Sequence, residues 1–435
     1  MIVQLFSAIS CSLFVLGNLL FTLFLLTLFL QTRYPLCCTY QYIDYGIPFV
    51  YLSDIALLLF LLAVAVNPSR RESFWRWLSG RRELYLAAFL FCLAAGISNI
   101  GALSKVAAWY RWFKIIELFL VSALAGWWIS DDQKRKMRVW LIMGWGLLAP
   151  CLIAIGEFIL GRSLGFQFLG EWRFNVRTPG ISTFFWRGKT WLRPYSTFPH
   201  PNVLGGILSL IIPAIYLFRK QLLAGWAVRF LVVILAATLV LTFSRTAWIS
   251  CFTLTFLGYV YLKHKPQNWP KYLLIFLLVS LLVFFLPSPV RERLLSVLST
   301  DSLSLVRRWE LAKFAFGLIK KRPLFGVGCN QFPFWMEKYG RISGTGPNWQ
   351  PVHNLWLLIT AENGLVGFLV FVGFFFRLVC SLLRRAGTEQ VYLLIILFGF
   401  LMTSFWDHYW WTSQEGMMFL GVVLGFSLVF ARSYG

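Results

Sequence analysis

His353-Asn-Leu-Trp-Leu-Leu-Ile-Thr-Ala-Glu362-Asn-Gly-Leu-Val-Gly-Phe-Leu-Val-Phe-Val-Gly-Phe-Phe-Phe376 runs for 24 residues up to Arg377 with one formal charge, Glu362. A helix of that length rises about 36 Å, enough for the roughly 30 Å of hydrocarbon in a bilayer. It also satisfies its own backbone hydrogen bonds where lipid offers no partner. The stretch reads as a membrane span with a titratable imidazole at its mouth.

The rest of the chain repeats that pattern. Of 435 residues 59% are hydrophobic and 13% charged. Apolar runs marked off at charged breaks give about twelve spans, near 5–30, 47–67, 84–101, 112–130, 139–160, 201–218, 229–244, 246–262, 272–287, 353–376, 390–406 and 415–431. The expected fold is an all-α polytopic membrane protein, one integral membrane domain over residues 1–435 with no 20–50-residue repeat and no appended soluble domain. The first run lacks a small-residue cleavage site and reads as a retained helix. The 21 Trp and 16 Tyr suit the headgroup belts.

Eight cysteines add little chemistry. Cys11, Cys92, Cys151, Cys251 and Cys380 fall in or beside apolar runs, Cys37 and Cys38 are adjacent, and Cys329 stands alone. No CxxC or Cys/His zinc spacing occurs, so neither a redox nor a metal site is expected.

Charge sets the topology. Lys and Arg number 40 against 17 Asp and Glu, and compact basic loops follow the second, fourth, sixth, eighth and tenth spans. They carry Arg70, Arg71, Arg76, Arg81 and Arg82; Lys134, Arg135, Lys136 and Arg138; Arg219, Lys220 and Arg229; Lys263, Lys265 and Lys271; and Arg377, Arg384 and Arg385. Short basic loops mark the cytoplasmic side, which puts both termini there too. Two longer loops then lie outside: 161–200, and a large one, 288–352, between the ninth and tenth spans. The large loop holds ten basic residues against four acidic ones. A solvated basic surface is the plain explanation. An anionic substrate at the membrane surface is the functional one.

Four places on that side carry polar residues worth testing. Arg193-Pro-Tyr-Ser-Thr-Phe-Pro-His200-Pro-Asn202 closes the second outer loop, either as an entry turn or as a site element. Arg245 sits between two apolar runs with no linker, so either the chain turns tightly there or a charge lies inside a long helix that must find a cavity, an anion or the interface. In the large loop, Leu305, Trp309, Ala312, Phe316 and Ile319 form an apolar stripe on a helix expected to lie on the membrane or cap the bundle, with Arg308 at its edge. Pro323 ends that helix, Gly326-Val-Gly328 makes a tight turn, and 341–349 is rich in turn-formers. His353-Asn354 follow. A histidine at a helix start is often a cap or a packed ring, yet it is the side chain suited to taking a hydroxyl proton near neutrality. Glu362, deeper in the span, is expected to orient or charge-balance the cluster, or to pair within the bundle.

In this order, Arg193 to Asn202, Ser244-Arg245, the Arg308 helix leading to Pro323-Leu-Phe-Gly-Val-Gly328, and His353-Asn354 with Glu362-Asn-Gly364 resemble the O-antigen ligase and Wzy-polymerase superfamily. The resemblance covers about residues 190–370; the first third agrees only in hydropathy. It implies a GT-C-like glycosyltransferase in a bacterial inner membrane, with its active site on the extracytoplasmic, periplasmic face. The donor would be a glycan on undecaprenyl diphosphate and the acceptor a hydroxyl of lipid A core, a growing glycan or a protein. It also implies His353 as the base that activates the acceptor, and Arg245 and Arg308 on the diphosphate. Arg193 is assigned with them; Arg307, Asn202, Asn354, Glu362 and His200 are supporting candidates, and Arg307 competes with Arg308. One departure is Ala312, where the family often has a tryptophan four residues after the loop arginine; here Trp309 adjoins the arginine instead.

The residue chemistry agrees with that implication. Guanidiniums can neutralise a diphosphate leaving group by bidentate hydrogen bonds, and no paired-acid motif marks the outer loops, so no metal, cofactor or nucleic acid is expected. Inverting displacement is the expected stereochemistry. O-antigen ligase is the leading expectation, ahead of a Wzy-type polymerase or protein O-oligosaccharyltransferase. A transporter of lipid-linked glycans is the alternative of a different class, and it predicts charges along midplane helices, whereas these cluster on one face.

Overall fold

A computed structural model describes residues 2–36, 46–218, 225–263, 303–339, 349–384 and 387–431. The expected span 272–287, the pair Cys37 and Cys38, the first part of the large loop, the segment 341–348, and Arg219, Lys220, Lys265, Lys271 and Arg385 lie outside them.

The described chain is mostly helical. In order it forms α1 (Ile2–Thr27), β1 (Arg33–Pro35), β2 (Phe49–Tyr51), α2 (Leu52–Val66), α3 (Pro68–Ser79), α4 (Arg82–Ser98), α5 (Lys105–Ser130), α6 (Gln133–Gly146), α7 (Leu148–Leu160), β3 (Thr183–Trp186), β4 (Lys189–Leu192), α8 (Pro201–Phe218), α9 (Trp226–Leu241), α10 (Arg245–Lys263), α11 (Leu303–Lys321), α12 (Phe332–Tyr339), α13 (Leu355–Leu383), α14 (Thr388–Ser404), α15 (Tyr409–Thr412) and α16 (Gln414–Val429). Five helices, Arg82–Gly101, Lys105–Ser130, Lys134–Leu160, Pro201–Phe218 and Leu355–Leu383, are long and apolar enough to cross a membrane, and α2 with α3 makes a sixth if that bent pair is one span. Shorter apolar helices cover Val15–Thr27, Trp226–Leu241, Thr388–Ser404 and Gln414–Val429. Large apolar side chains such as Phe89, Val233, Leu369 and Phe376 remain exposed on the outer faces of these helices. Lipid is the solvent that suits them, and the chain is a multi-pass membrane protein.

Small residues set the closest packing. In α16 every residue from Gln414 to Leu428 is buried, and it lies along α5 where Ser122 and Gly126 face Gly425 and Leu118 faces Gly421. A Cβ at Gly126 would stand 2.6 Å from the Gly425 carbonyl, and one at Gly421 would stand 2.9 Å from that of Leu118. Small residues four apart let two backbones touch, which is what holds helices together where lipid gives no hydrophobic drive.

Three local findings differ from the sequence reading. The basic stretch after the second span is helical: Asn67 accepts the Arg70 N–H at 3.2 Å, Pro68 opens α3, and α3 turns 103° from α2. With Arg71, Arg76 and the exposed Trp75 on it, α3 has the composition of an interfacial helix. The second outer loop contains a hairpin, pairing Phe184 with Trp191 and Trp186 with Lys189. Its two-residue turn has Arg187 and Gly188 both at positive φ (48° and 73°), the primed geometry that matches strand twist. In α11 the bundle-facing residues are Leu311, Ala315 and Leu318, while Trp309 and Phe316 of the expected stripe point outward. Of that stripe Ala312 and Ile319 pack against the core.

The segment 323–328 interlocks with a break in α13. Gly364, at φ 68° and ψ −177°, interrupts the helix. Leu365 N–H donates to Pro323 O at 2.8 Å, Val366 N–H to Leu324 O at 3.1 Å, Val327 N–H to Ala361 O at 3.1 Å and Gly328 N–H to Glu362 O at 2.8 Å. A Cβ at Gly364 would collide with the Leu324 carbonyl, and the dihedral region is essentially reserved for glycine. Gly364→Ala is expected to cost at least about 3 kcal/mol, read as a lower unfolding temperature and poor yield of the detergent-solubilised protein.

Candidate active site

One end of the bundle gathers the starts of α8, α10 and α13 with the turn 405–413 between α14 and α16. Helix N-termini carry partial positive charge, so this end favours anions before any side chain is counted.

Asp407 is the hub. Its Oδ1 lies 3.3 Å from His353 Nδ1 and accepts the His408 backbone N–H at 2.9 Å, and its Oδ2 accepts from Asn202 Nδ2 at 3.2 Å. Burial alone would raise its pKa. The charges of His353, His408 and Arg308, with the His353 hydrogen bond, outweigh that and hold the carboxyl well below the usual carboxylate range. Asp407 is therefore a fixed anion. A carboxylate facing Nδ1 puts the imidazole proton there and leaves the Nε2 lone pair of His353 to accept another.

Arg193 braces this arrangement. Its Nε donates to Thr242 O at 2.8 Å, one terminal nitrogen to Ser182 Oγ at 3.1 Å and the other to Asn202 Oδ1 at 2.7 Å. Only 4% of the residue is exposed. With those three protein acceptors it is a strut linking the second outer loop, the turn before α10 and, through Asn202, Asp407. The turn that carries it is clamped in turn by Glu157, which accepts the N–H groups of Tyr195 and Ser196 at 2.8 and 2.7 Å. His200 Nδ1 accepts the Asn202 N–H at 3.1 Å, and its Nε2 lies 3.4 Å from Ser182 Oγ. Burial and the Arg193 charge push its pKa down to about 3, so it is neutral at working pH.

Arg245 and Arg308 approach from two other segments. The chain turns tightly before α10, with Phe243 at φ 49° and Trp248 Nε1 bonded to Leu239 O at 2.9 Å. This settles the alternative of a charge inside one long helix and leaves Arg245 at the start of α10. Arg308 donates to Trp406 O at 2.8 Å, next to Asp407. The Arg245 pKa is lowered by burial and then by the Arg308 charge; two guanidiniums that repel one another favour a shared anion. For Arg307 burial lowers the pKa and Glu310 opposes it, whereas the Arg308 charge acts on Asp407 and His408.

Two supporting candidates have other work. Asn354 caps α13, its Oδ1 accepting the Leu357 N–H at 2.9 Å while its Nδ2 donates to Phe405 O at 3.1 Å. Glu362 is buried and accepts the backbone N–H groups of Asn330 at 2.8 Å and Phe332 at 3.1 Å. It anchors the start of α12, one of the roles open to it as a partner within the bundle.

Asp407 and His408 are the residues that sequence reasoning missed. A signal exists: an Asp-His pair in the short break between the last two spans, on the same side as His353, with one of only four histidines in the chain. The His408 ring centroid is 5.3 Å from that of His353, and its Nδ1 is 2.7 Å from Thr412 Oγ1. Burial, opposed by Asp407, pushes its pKa down to about 3. Arg111 secures the same turn, donating to Trp411 O at 3.1 Å and Thr412 O at 3.0 Å. His353, Asp407 and His408 offer ligand atoms within 4.8 Å of one another, a spacing that could hold a metal ion.

Chemically, this end of the protein offers a carboxylate-oriented imidazole beside two guanidiniums. No curated protein matches the chain. The family model described as O-antigen ligase matches residues 230–372, which include Arg245, Arg308 and His353 and leave Arg193, Asn202, Asp407 and His408 outside. That match spans 143 of the 435 residues, and over them the chain is similar to the O-antigen ligase family.

Proposed function

We propose that the protein is an O-antigen ligase-type glycosyltransferase of about twelve spans and GT-C-like arrangement. It moves a glycan from undecaprenyl diphosphate to an acceptor hydroxyl, that of lipid A core or a similar molecule, at the periplasmic face of a bacterial inner membrane. The observation that carries this reading is the His353–Asp407 pair with Arg308 hydrogen-bonded one residue away at Trp406. His353 Nε2 takes the acceptor proton, the acceptor oxygen attacks the anomeric carbon, and the glycosyl–phosphate bond breaks toward Arg245 and Arg308, which bind the departing diphosphate. Arg193 and Asn202 act at one remove, holding Asp407. Attack opposite the leaving group inverts the anomeric centre.

The test uses purified protein in lipid nanodiscs with a lipid-diphosphate glycan and an acceptor. Arg245→Ala and Arg308→Ala are expected to weaken donor binding and slow transfer by about 10²-fold or more. Transfer at the wild-type rate in both would end the diphosphate assignment.

The cluster of His353, Asp407 and His408 favours a second, metal-assisted form of the same transfer. In the proposed form Asp407 already accepts from Asn202 and the His408 N–H, and the arginines supply the positive charge. Extensive EDTA treatment is then expected to leave the rate unchanged. Loss of activity restored by one divalent ion would transfer the role to a metal.

A further inference from the structure

The β3–β4 hairpin has a surface that the transfer reaction does not use. Its Phe184, Trp186 and Trp191 side lies against the bundle: the Phe184 ring is 4.0 Å from Phe243, and Trp191 stacks on Phe158 at 5.5 Å. Phe158 belongs to the last turns of α7, where Ile159 and Leu160 are left 71% and 55% exposed. At the tip Phe185 is 68% exposed. Arg187 lies 4.7 Å over the Trp186 ring and Lys189 lies 4.6 Å over that of Trp191. The loop 161–200 has six basic residues, and its sole acid, Glu171, is buried and taken up by the Leu164, Gly165 and Phe166 N–H groups.

We infer that this hairpin is a headgroup anchor that binds anionic phospholipid on the face of the membrane that carries the site. Two observations point to lipid. The hairpin packs against Phe158 at the end of the apolar helix α7, beside the exposed Ile159 and Leu160, and carries a further exposed aromatic ring at Phe185. Its cations sit over aromatic rings at that level, the amphipathic pattern of an interfacial belt, and their sign selects anionic headgroups. The anchor also reaches the site: Arg193 follows β4 directly and its N–H donates to Ser182 O at 3.1 Å, closing the base of the hairpin.

The test places p-benzoylphenylalanine at Phe185 in the full chain, in nanodiscs of equal phosphatidylcholine and phosphatidylglycerol, and identifies the photoadducts by mass. Phosphatidylglycerol adducts are expected to exceed phosphatidylcholine adducts several-fold. Arg187→Ser and Lys189→Ser should each cut that preference, by on the order of fivefold per charge lost. The same probe at the exposed Thr190, opposite Phe185 in the hairpin, gives an independent position should the first variant fail to fold. Adducts without lipid, equal adducts of both lipids, or adducts with an added lipid-linked glycan in place of phospholipid would each overturn the anchor, the last in favour of a glycan platform. None of these readouts depends on glycan transfer.

Discussion

His353→Gln is expected to slow glycan transfer by about 10²- to 10⁴-fold, the usual worth of a positioned general base, while donor binding changes little. The glutamine amide can still donate a hydrogen bond to Asp407, so the turn 405–408 keeps its shape, but it has no basic lone pair at neutral pH. Single-turnover transfer from a purified lipid-diphosphate donor, beside a donor-binding measurement, separates the two steps. The pH profile adds a second check. His200 and His408, held near 3, are already neutral at pH 5, and the Asp407 carboxylate is already ionised, so none of the three changes charge between pH 5 and 8. Any pH dependence of the rate within that window therefore comes from none of these three. Transfer unchanged in the variant would remove His353 from catalysis.

Much of this was legible in the sequence because hydropathy and charge asymmetry are read one segment at a time. The membrane character, the tight turn as one of two options at Arg245, and the convergence of Arg193, Arg245, Arg308 and His353 on one end follow from where apolar runs stop. What was not legible depends on contacts between distant segments. Glu362 sits in the same motif as His353, yet its carboxylate faces the backbone of 330–332 because the unwound turn at Gly364 receives the 323–328 strip. Arg193 is assigned in sequence to the diphosphate with Arg245 and Arg308, and in space it is engaged by Thr242, Ser182 and Asn202. Asp407, one acid between two spans, has no periodicity and no motif spacing, and its meaning comes from His353, 54 residues earlier. The hairpin at Phe184 to Trp191 did have a local signal, an Arg-Gly pair between aromatic and β-branched runs.

Asp407→Asn is the sharper test of the site, because it removes a charge without removing volume. The asparagine can turn its NH₂ toward His353 Nδ1 and so favour the tautomer whose proton sits on Nε2, where the acceptor hydroxyl must be met by a lone pair. The same change takes the negative charge that would stabilise the imidazolium formed during transfer. In a hydrolase triad the corresponding change costs on the order of 10⁴, and about 10²- to 10⁴-fold is expected here. Because the two residues act as one device, His353→Gln with Asp407→Asn should be no slower than His353→Gln alone. His408→Ala separates the competing explanation: as a neighbour bonded to Thr412 it should cost far less than Asp407→Asn. As one of three metal ligands it should cost as much, and the loss should be eased by excess divalent ion. An Asp407→Asn enzyme that transfers glycan at the wild-type rate would leave His353 without its orienting partner and return the histidine to the role of a packed ring at the start of a span.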